Sequence, residues 1–251
     1  MMNTGYLAEK NPHPLDANIK FDEGPHTYHI DGDSNYKSVT TWNHSHFGKF
    51  DSDKIIEKMM SNPEKWKKNK YFGMTKLEIK SLWRENGRKA AESGTKMHYD
   101  IECFYNNKEV ENSSIEYEYF LRFYKQNNEL KPYRTEWMIY DKELRFAGSI
   151  DMIFENEDGT LEIYDWKRSK EIKKENKWQS AITPCIEHLP DSNFWHYALQ
   201  LNTYKALLEK NYGKKVKGLY LICLHPDNKN SSYQKIKVPT LKREIRDLFD
   251  L

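Results

Sequence analysis

Residues 148–167, which read GSIDMIFENEDGTLEIYDWK, decide the fold that we predict for this chain. Two runs rich in isoleucine, phenylalanine and tyrosine flank Glu157–Gly159, where the glycine allows the left-handed backbone conformation that closes a three-residue loop. A loop of this length pairs Ile153 with Ile163 across two antiparallel strands. The stretch therefore predicts a β-hairpin with a defined register.

The same register brings two acids and one base together. Asp151 lies opposite Asp165, and Lys167, two residues farther along the strand, points to the same face as Asp165. Neighbouring carboxylates repel each other unless a positive charge lies between them, and Mg²⁺ prefers such oxygen ligands. The hairpin thus favours metal-dependent phosphodiester hydrolysis, in which Lys167 orients the attacking water or stabilises charge. An Asp-x-Lys strand by itself is more often a surface ion pair.

Hydrophobic periodicity predicts the elements around the hairpin. Strands are expected at Tyr133–Tyr140, Leu144–Glu155, Thr160–Lys167 and 218–224, and helices at 76–104, 114–127, 194–210 and 240–249. The order of helix, three-stranded antiparallel meander, helix and strand indicates an α/β fold.

The first part of the chain predicts an elaboration before this core. Residues 1–18 show little periodicity, so we expect them to be poorly ordered, and residues 19–30 predict a small hairpin or meander. Helices are expected at about 51–61 and after Pro63. We therefore divide the chain into an N-terminal hairpin and helical elaboration at 1–75 and a core at 76–251, with a charged flap at 168–192.

The composition limits the classes of protein to which the chain can belong. Of its 251 residues, 31% are charged, and no apolar run approaches the length of a membrane span, which argues against a membrane protein. The formal net charge of +2 is not by itself a sign of nucleic-acid binding. Basic residues cluster at 65–70 and 168–177, however, where they form either a collar that attracts phosphate or an ordinary solvated face.

Four sequence motifs follow one another along the chain. They are Gly94-Thr-x-x-His98, Gly148-x-x-Asp151, Asp165-x-Lys167 and Gln200-x-x-x-Tyr204. In these motifs and their order, residues 94–224 resemble the PD-(D/E)XK nuclease superfamily, and especially its RecB/Cas4-like branch, which includes the mitochondrial genome maintenance exonuclease and viral and phage relatives. The resemblance implies a restriction-endonuclease-like core and metal-dependent cleavage of DNA.

The resemblance also implies a role for each motif residue. His98, Asp151, Asp165 and the backbone carbonyl of Trp166 match the positions that bind the metal ion in the family. Lys167 matches the catalytic lysine, and Asp151 and Asp165 belong to the catalytic set as well. Many relatives carry glutamate at the position of Asp165, and either carboxylate binds a metal.

Other residues resemble family positions less specifically. Glu136 matches an acidic position of several relatives and joins the expected catalytic set, where it binds a second cation or orients water, but an ordinary strand-surface glutamate explains it equally well. Gln200 and Tyr204 lie one helical turn apart and are expected to contact the phosphate or the scissile region. The remaining expected substrate contacts are Arg168, Ser169 and Lys170.

Mg²⁺ or Mn²⁺ is the expected cofactor. Some relatives hold an iron–sulfur cluster through four cysteines, whereas this chain has three, which are widely spaced, so no cluster is expected. The three cysteines do not suggest a disulfide framework either, and no signal or transit peptide is evident. We therefore expect an intracellular protein, cytoplasmic or nuclear, which does not bind membranes, and a viral or phage origin is compatible with the resemblance.

The function that we predict is a metal-dependent DNA exonuclease with a preference for single-stranded ends. Its expected partners are DNA and proteins of replication, repair or recombination. A structure-specific or flap endonuclease is the first alternative, and a catalytically silent nucleic-acid-binding module is the second. The sequence leaves open the polarity of digestion and the choice between DNA and RNA.

Overall fold

The computed structural model of the chain describes residues 5–250. Backbone contacts divide them into two compact units. The larger unit contains the described residues up to Gly48 and those from Met97 onward, and the smaller unit is Lys49–Lys96. The division at residue 75 that we predict from the sequence separates a core from its elaboration. It does not describe units of packing, and it stays a prediction.

The larger unit is built on a six-stranded mixed sheet and a separate hairpin. The hairpin pairs β1 (Ile19–Asp22) with β2 (Thr27–Ile30). The sheet consists of β3 (Lys37–Ser38), β4 (Lys131–Asp141), β5 (Phe146–Glu155), β6 (Leu161–Lys167), β7 (Val216–Cys223) and β8 (Gln234–Lys237). Strands β4, β5 and β6 form an antiparallel meander, and β6 then pairs in parallel with β7. The predicted meander and following strand are thus confirmed, whereas the short strands β3 and β8 are not predicted from the sequence.

The hairpin between β5 and β6 has the predicted register. The Asn156 N–H donates to the Thr160 carbonyl at 2.8 Å, and Gly159 adopts a φ of 75°, which few other residues tolerate. Ile153 pairs with Ile163, and the last pair of the ladder is Met152 with Tyr164. Counted from the loop outward, the two strands therefore stop pairing one residue before Asp151 on β5 and one residue before Asp165 on β6.

Helices of the larger unit cover both faces of its sheet. The α-helices of the described residues, in both units, are α1 (Tyr6–Lys10), α2 (Val39–His44), α3 (Ser52–Met60), α4 (Pro63–Lys67), α5 (Lys76–Tyr105), α6 (Ile115–Gln126), α7 (Asn193–Asn211) and α8 (Lys242–Phe249). Ile153 and Ile163 pack in one cluster with residues of α7 and α8, whereas Phe154 and Tyr164 pack in another with residues of α5 and α6. This alternation follows from the two-residue period of a strand. Because β6 and β7 are parallel, they need a crossover, which α7 supplies.

The prediction that residues 1–18 are poorly ordered is wrong for the residues that the structure describes. Residues 5–18 contain α1 and a 3₁₀ turn at Pro14–Asn18, while the first four residues lie outside the described part. Asp16 lies 2.8 Å from the guanidinium of Arg134, which is 0% exposed, and accepts a hydrogen bond from the indole of Trp137. A buried cation in the sheet thus fixes this segment, because its charge requires a partner.

The smaller unit is helical, and it contains α3, α4 and the first part of α5. The indole of Trp83 donates to the hydroxyl of Tyr71 at 2.8 Å, and Lys80 pairs with Asp53 at 2.8 Å. The predicted helices at 51–61 and after Pro63 are confirmed. Among the described residues of the whole chain, no helix is long and apolar enough to cross a membrane.

Candidate active site

The polar residues of the predicted site gather where one edge of β5 loses its partners. Strand β4 pairs along one edge of β5. On the other edge, β6 pairs with β5 from Met152 onward, and β3 pairs with Phe146 and Ala147. Residues 148–151 lie between these two partners, and no described strand pairs with this edge there. We call this unpaired stretch of the edge the gap. The carboxylate of Asp151 fills part of the gap by accepting the N–H of Trp166 at 2.9 Å.

Glu136 occupies a strained position on β4, across β5 from this gap. It lies opposite Asp151, between the pairs Thr135–Met152 and Trp137–Ile150, and its φ is 43°. A left-handed backbone at a residue other than glycine costs on the order of 1–3 kcal/mol and is concentrated at functional sites. The hydroxyl of Ser149 donates to the carboxylate of Glu136 at 2.8 Å and orients it. Strain and orientation both favour a functional glutamate over an ordinary surface residue.

His98 on α5 completes a group of three ligand types. Its Nδ1 lies 3.5 Å from Oδ2 of Asp151 and 3.8 Å from Oε1 of Glu136, and the potential ligand atoms of all three residues lie within 4.8 Å of one another. Burial lowers the pKa of His98, but the carboxylates of Asp151 and Glu136 outweigh it and raise this pKa to about 9. Burial also raises the pKa of Asp151. The group therefore attracts positive charge, and a divalent cation satisfies it as a proton does.

Asp165 and Lys167 form a separate buried ion pair. Oδ1 of Asp165 accepts a hydrogen bond from Lys167 Nζ at 2.9 Å. Oδ2 lies 2.7 Å from the same nitrogen but outside hydrogen-bonding geometry, so this buried oxygen has no hydrogen-bond partner among the described residues. Burial raises the pKa of Asp165 to about 6, although Lys167 opposes the shift. The predicted ligand set is thus divided, with Asp165 outside the group formed by His98, Glu136 and Asp151.

Lys167 remains positively charged at this position. Burial lowers its pKa, but the carboxylates of Asp165 and Asp151 outweigh burial and raise the pKa above its usual value. Its Nζ also lies 4.6 Å from the centre of the Tyr197 ring, a contact that favours a cation. A lysine held in this way cannot accept a proton near neutral pH, and it can stabilise negative charge on a phosphate.

The backbone of Trp166 turns its carbonyl toward the same gap. In an extended strand, the N–H and C=O of one residue point to one edge, and those of its neighbour point to the other. The carbonyl of Lys167 accepts from the N–H of Leu224, on the side of β7. The N–H of Trp166 points the other way, to Asp151. The Trp166 carbonyl therefore lies on the edge that faces β5, beyond the end of the β5–β6 ladder.

These donors fit a divalent cation. They are two carboxylates and an imidazole in one group, a carbonyl at the end of the ladder, and a buried Asp165 oxygen without a hydrogen-bond partner. Cations with hard character take oxygen ligands, and first-row transition metals also accept imidazole.

Gln200 and Tyr204 on α7 approach the gap from the other face. Nε2 of Gln200 lies 3.3 Å from the hydroxyl of Tyr204 and 3.4 Å from the hydroxyl of Thr40. Burial raises the pKa of Tyr204, and the charges of Asp151 and Asp165 add to this shift. A Cβ on Gly148 would lie 2.7 Å from the Tyr204 ring, so the glycine of the motif is what admits the tyrosine.

Tyr28 on β2 is a half-buried neighbour of the site that the sequence analysis does not single out. It packs against the cluster that contains Met138 and Ala147. Burial raises its pKa, and the carboxylates of Glu136 and Asp151 raise it further. The spacing of the four motifs does not mark this tyrosine, because the hairpin belongs to a distant part of the chain.

The three residues after β6 contact protein rather than the gap. Arg168 pairs with Glu116 at 2.6 Å, and Lys170 pairs with Asp227 at 2.8 Å. The hydroxyl of Ser169 donates to a backbone carbonyl at 3.1 Å. Their predicted role in substrate binding stays a prediction, and it requires Arg168 and Lys170 to exchange these partners for phosphate.

Comparison with known sequences agrees with this geometry. A sequence model of the PD-(D/E)XK nuclease superfamily matches residues 78–250, from the first turn of α5 to the end of α8. No curated protein matches the chain in sequence. Since the match covers more than half of the chain and includes every residue of the site except Thr40, the chain belongs to the PD-(D/E)XK nuclease superfamily, a superfamily of metal-dependent nucleases.

Proposed function

We propose that the protein is a divalent-metal-dependent DNA exonuclease that prefers single-stranded ends. The observation that carries the catalytic part of this proposal is the group of His98, Glu136 and Asp151 beside the Asp165–Lys167 ion pair. The exonuclease activity and the single-strand preference rest on the resemblance of the ordered motifs to the RecB/Cas4-like branch.

Each residue of the site has a separate task in this reaction. His98, Glu136 and Asp151 would hold the cation, with Asp165 and the Trp166 carbonyl beside them, and the cation would lower the pKa of water and offset charge on the phosphate. Lys167 places its ammonium near the phosphate, where it stabilises the negative charge that develops during attack. Gln200 and Tyr204 orient the phosphate from α7.

The ligand types favour Mn²⁺ over Mg²⁺ as the more effective cation. Mg²⁺ takes oxygen ligands almost exclusively, whereas Mn²⁺ also accepts an imidazole nitrogen. We therefore expect higher activity with Mn²⁺ than with Mg²⁺ at equal concentration. His98→Asp, which replaces the nitrogen by oxygen, should shift this preference toward Mg²⁺.

End-labelled substrates test the proposal directly. Linear single strands, blunt duplexes, RNA strands and covalently closed single-stranded circles are incubated with Mn²⁺, Mg²⁺ or chelator. We expect degradation of linear single-stranded DNA, none of circles and none in chelator. Cleavage of circles would instead establish an endonuclease, and metal-independent binding without cleavage of any substrate would establish a silent binding module.

Lys167→Ala gives the matched test of mechanism. Loss of one preorganised charge at the phosphate typically lowers kcat by about 10²–10³-fold. Lys142→Ala is the control, because Lys142 forms an exposed ion pair with Asp31 away from the site. The control should retain full activity.

A further inference from the structure

The loop between β6 and α7 presents a tryptophan almost entirely to solvent. Trp178 is 92% exposed, the highest value among the exposed large hydrophobic side chains of the described residues. Indole rings are usually buried or held in interfaces, because their burial stabilises proteins strongly. Trp178 also lines a cleft of about 390 Å³ between this loop and the first residues of α7.

The loop that carries Trp178 is fixed by hydrogen bonds. Oδ1 of Asn176 accepts the N–H of Trp178 at 3.0 Å and that of Gln179 at 3.2 Å. Nδ2 of Asn176 donates to the carbonyl of Asp191 at 2.6 Å, and the N–H of Asp191 donates back to the carbonyl of Gln179 at 2.9 Å. The ring therefore stands on an ordered support, and little conformational entropy is lost when a ligand covers it.

A chain of contacts joins the cleft to the catalytic lysine. Asn193 lines the cleft and accepts the N–H of Lys173 at 2.8 Å. Tyr197 lies one turn farther along α7, about 6 Å at a rise of about 1.5 Å per residue. Its ring contacts Lys167 Nζ at 4.6 Å. The cleft and the contact with Lys167 thus lie within one turn of each other on α7, so the cleft is close enough to contact a strand that is cut at Lys167.

The charges around the cleft nearly balance. Lys173 and Lys177 line it together with Glu175 and Asp191. Lys173 lies 3.4 Å from Glu171, and Asp191 accepts a hydrogen bond from His196 at 2.8 Å. A site that selects phosphate would carry an excess of positive charge. The exposed indole ring, rather than an excess of charge, is thus the feature that distinguishes this cleft.

We infer that Trp178 is a stacking platform for an unpaired base of the substrate strand, next to the part of the strand that is cut. This inference rests on the proposed function and explains its single-strand preference. Stacking on an aromatic side chain tolerates any base but requires an exposed face. Inside a duplex the bases cover one another, so a duplex without ends gains nothing from Trp178.

Binding measured without catalysis tests this subsite. Fluorescence anisotropy of a labelled twelve-nucleotide single strand is recorded in chelator for the full chain and for Trp178→Ala. One lost stack should raise Kd by about 5- to 150-fold. Kd for a covalently closed duplex circle should not change, and Trp178→Phe should retain part of the affinity. Ile182→Ala is the matched control, because Ile182 is 64% exposed in the same loop but does not line the cleft.

Salt dependence separates stacking from phosphate binding. The effect of Trp178→Ala should be equal at low and high salt, whereas Lys177→Ala should reduce the slope of log K against log salt by up to about 0.7, the value for one phosphate contact of a single strand. A Trp178→Ala effect no larger than that of Ile182→Ala, or equal for single strand and duplex, would overturn the inference.

A small substrate distinguishes failure of the subsite from failure of the proposed function. The p-nitrophenyl ester of thymidine 5′-phosphate is too short to reach Trp178, so Trp178→Ala should hydrolyse it at the wild-type rate with Mn²⁺. If the wild type hydrolyses neither this ester nor DNA, the proposed function fails while the binding result still decides the subsite. If the ester is hydrolysed and Trp178→Ala binds single strands normally, only the subsite fails.

Discussion

Gly148→Ala is the substitution whose effect on the site can be worked out most directly from the structure. An added Cβ would lie 2.7 Å from Cε1 of Tyr204 and 2.9 Å from its hydroxyl, about 0.7 Å short of ordinary contact. Tyr204 is buried in the main cluster. Its ring, β5 or α7 must therefore move by several tenths of an ångström.

This movement should affect both stability and catalysis. Overpacking of a buried contact costs about 1–3 kcal/mol, and we expect the free energy of unfolding to fall by this amount. A misplacement of 1 Å in an active site lowers rates by roughly 10²-fold, so kcat/KM should fall by roughly 10- to 100-fold. Gly87→Ala is the control, because a Cβ there meets nothing within 4 Å, and it should stabilise the helix by about 0.5–1 kcal/mol.

Urea denaturation and cleavage of a single-stranded oligonucleotide measure the two effects. The double variant with Tyr204→Leu removes the ring that the Cβ meets, so a double-mutant cycle should give a coupling energy of about 1–3 kcal/mol. Wild-type stability and activity in Gly148→Ala, or a coupling energy near zero, would refute the reasoning.

Three further substitutions or conditions have defined outcomes. Glu136→Gly should remove the strain of a left-handed backbone at a non-glycine residue, which costs about 1 kcal/mol or more. Urea denaturation in chelator should therefore show a variant at least as stable as wild type. Its activity and its stabilisation by Mn²⁺ should fall. Asp16→Ala removes the carboxylate that faces the buried guanidinium of Arg134 and should lower the free energy of unfolding by about 3 kcal/mol, whereas Lys142→Ala, at an exposed pair, should change it by less than about 1 kcal/mol. The carboxylates of Asp151 and Glu136 raise the pKa of His98 to about 9, so calorimetry near pH 7 should detect release of a proton when Mn²⁺ binds. The affinity for Mn²⁺ should rise with pH until about 9. An affinity for Mn²⁺ that does not depend on pH would contradict the assignment of His98 as a ligand.

The sequence predicts the β-hairpin well because its determinants are local. A three-residue loop with glycine at the left-handed position fixes the register, and the alternation of apolar residues fixes the faces. The structure reproduces the pairing of Ile153 with Ile163 for this reason. The long helix α5 is predicted despite Gly87 and Gly94 because its other residues keep the helical period.

Features that depend on distant residues are not predicted. The ladder between β5 and β6 ends at Met152 and Tyr164, so Asp151 turns to Glu136 and His98 while Asp165 pairs with Lys167. No local sequence pattern predicts the residue at which the hydrogen-bonded ladder between two strands ends. The ordered segment around Asp16 depends in the same way on Arg134, which lies in a strand far along the chain.

Anomalous diffraction from crystals soaked in Mn²⁺ can locate the divalent cation that we propose between His98, Glu136 and Asp151, beside Lys167. We expect one strong peak at a coordination distance of about 2.0–2.3 Å from the His98 imidazole and the Asp151 carboxylate, and no such peak in a His98→Ala crystal. Full occupancy of Mn²⁺ elsewhere in the protein, with none between these three residues, would exclude this metal site.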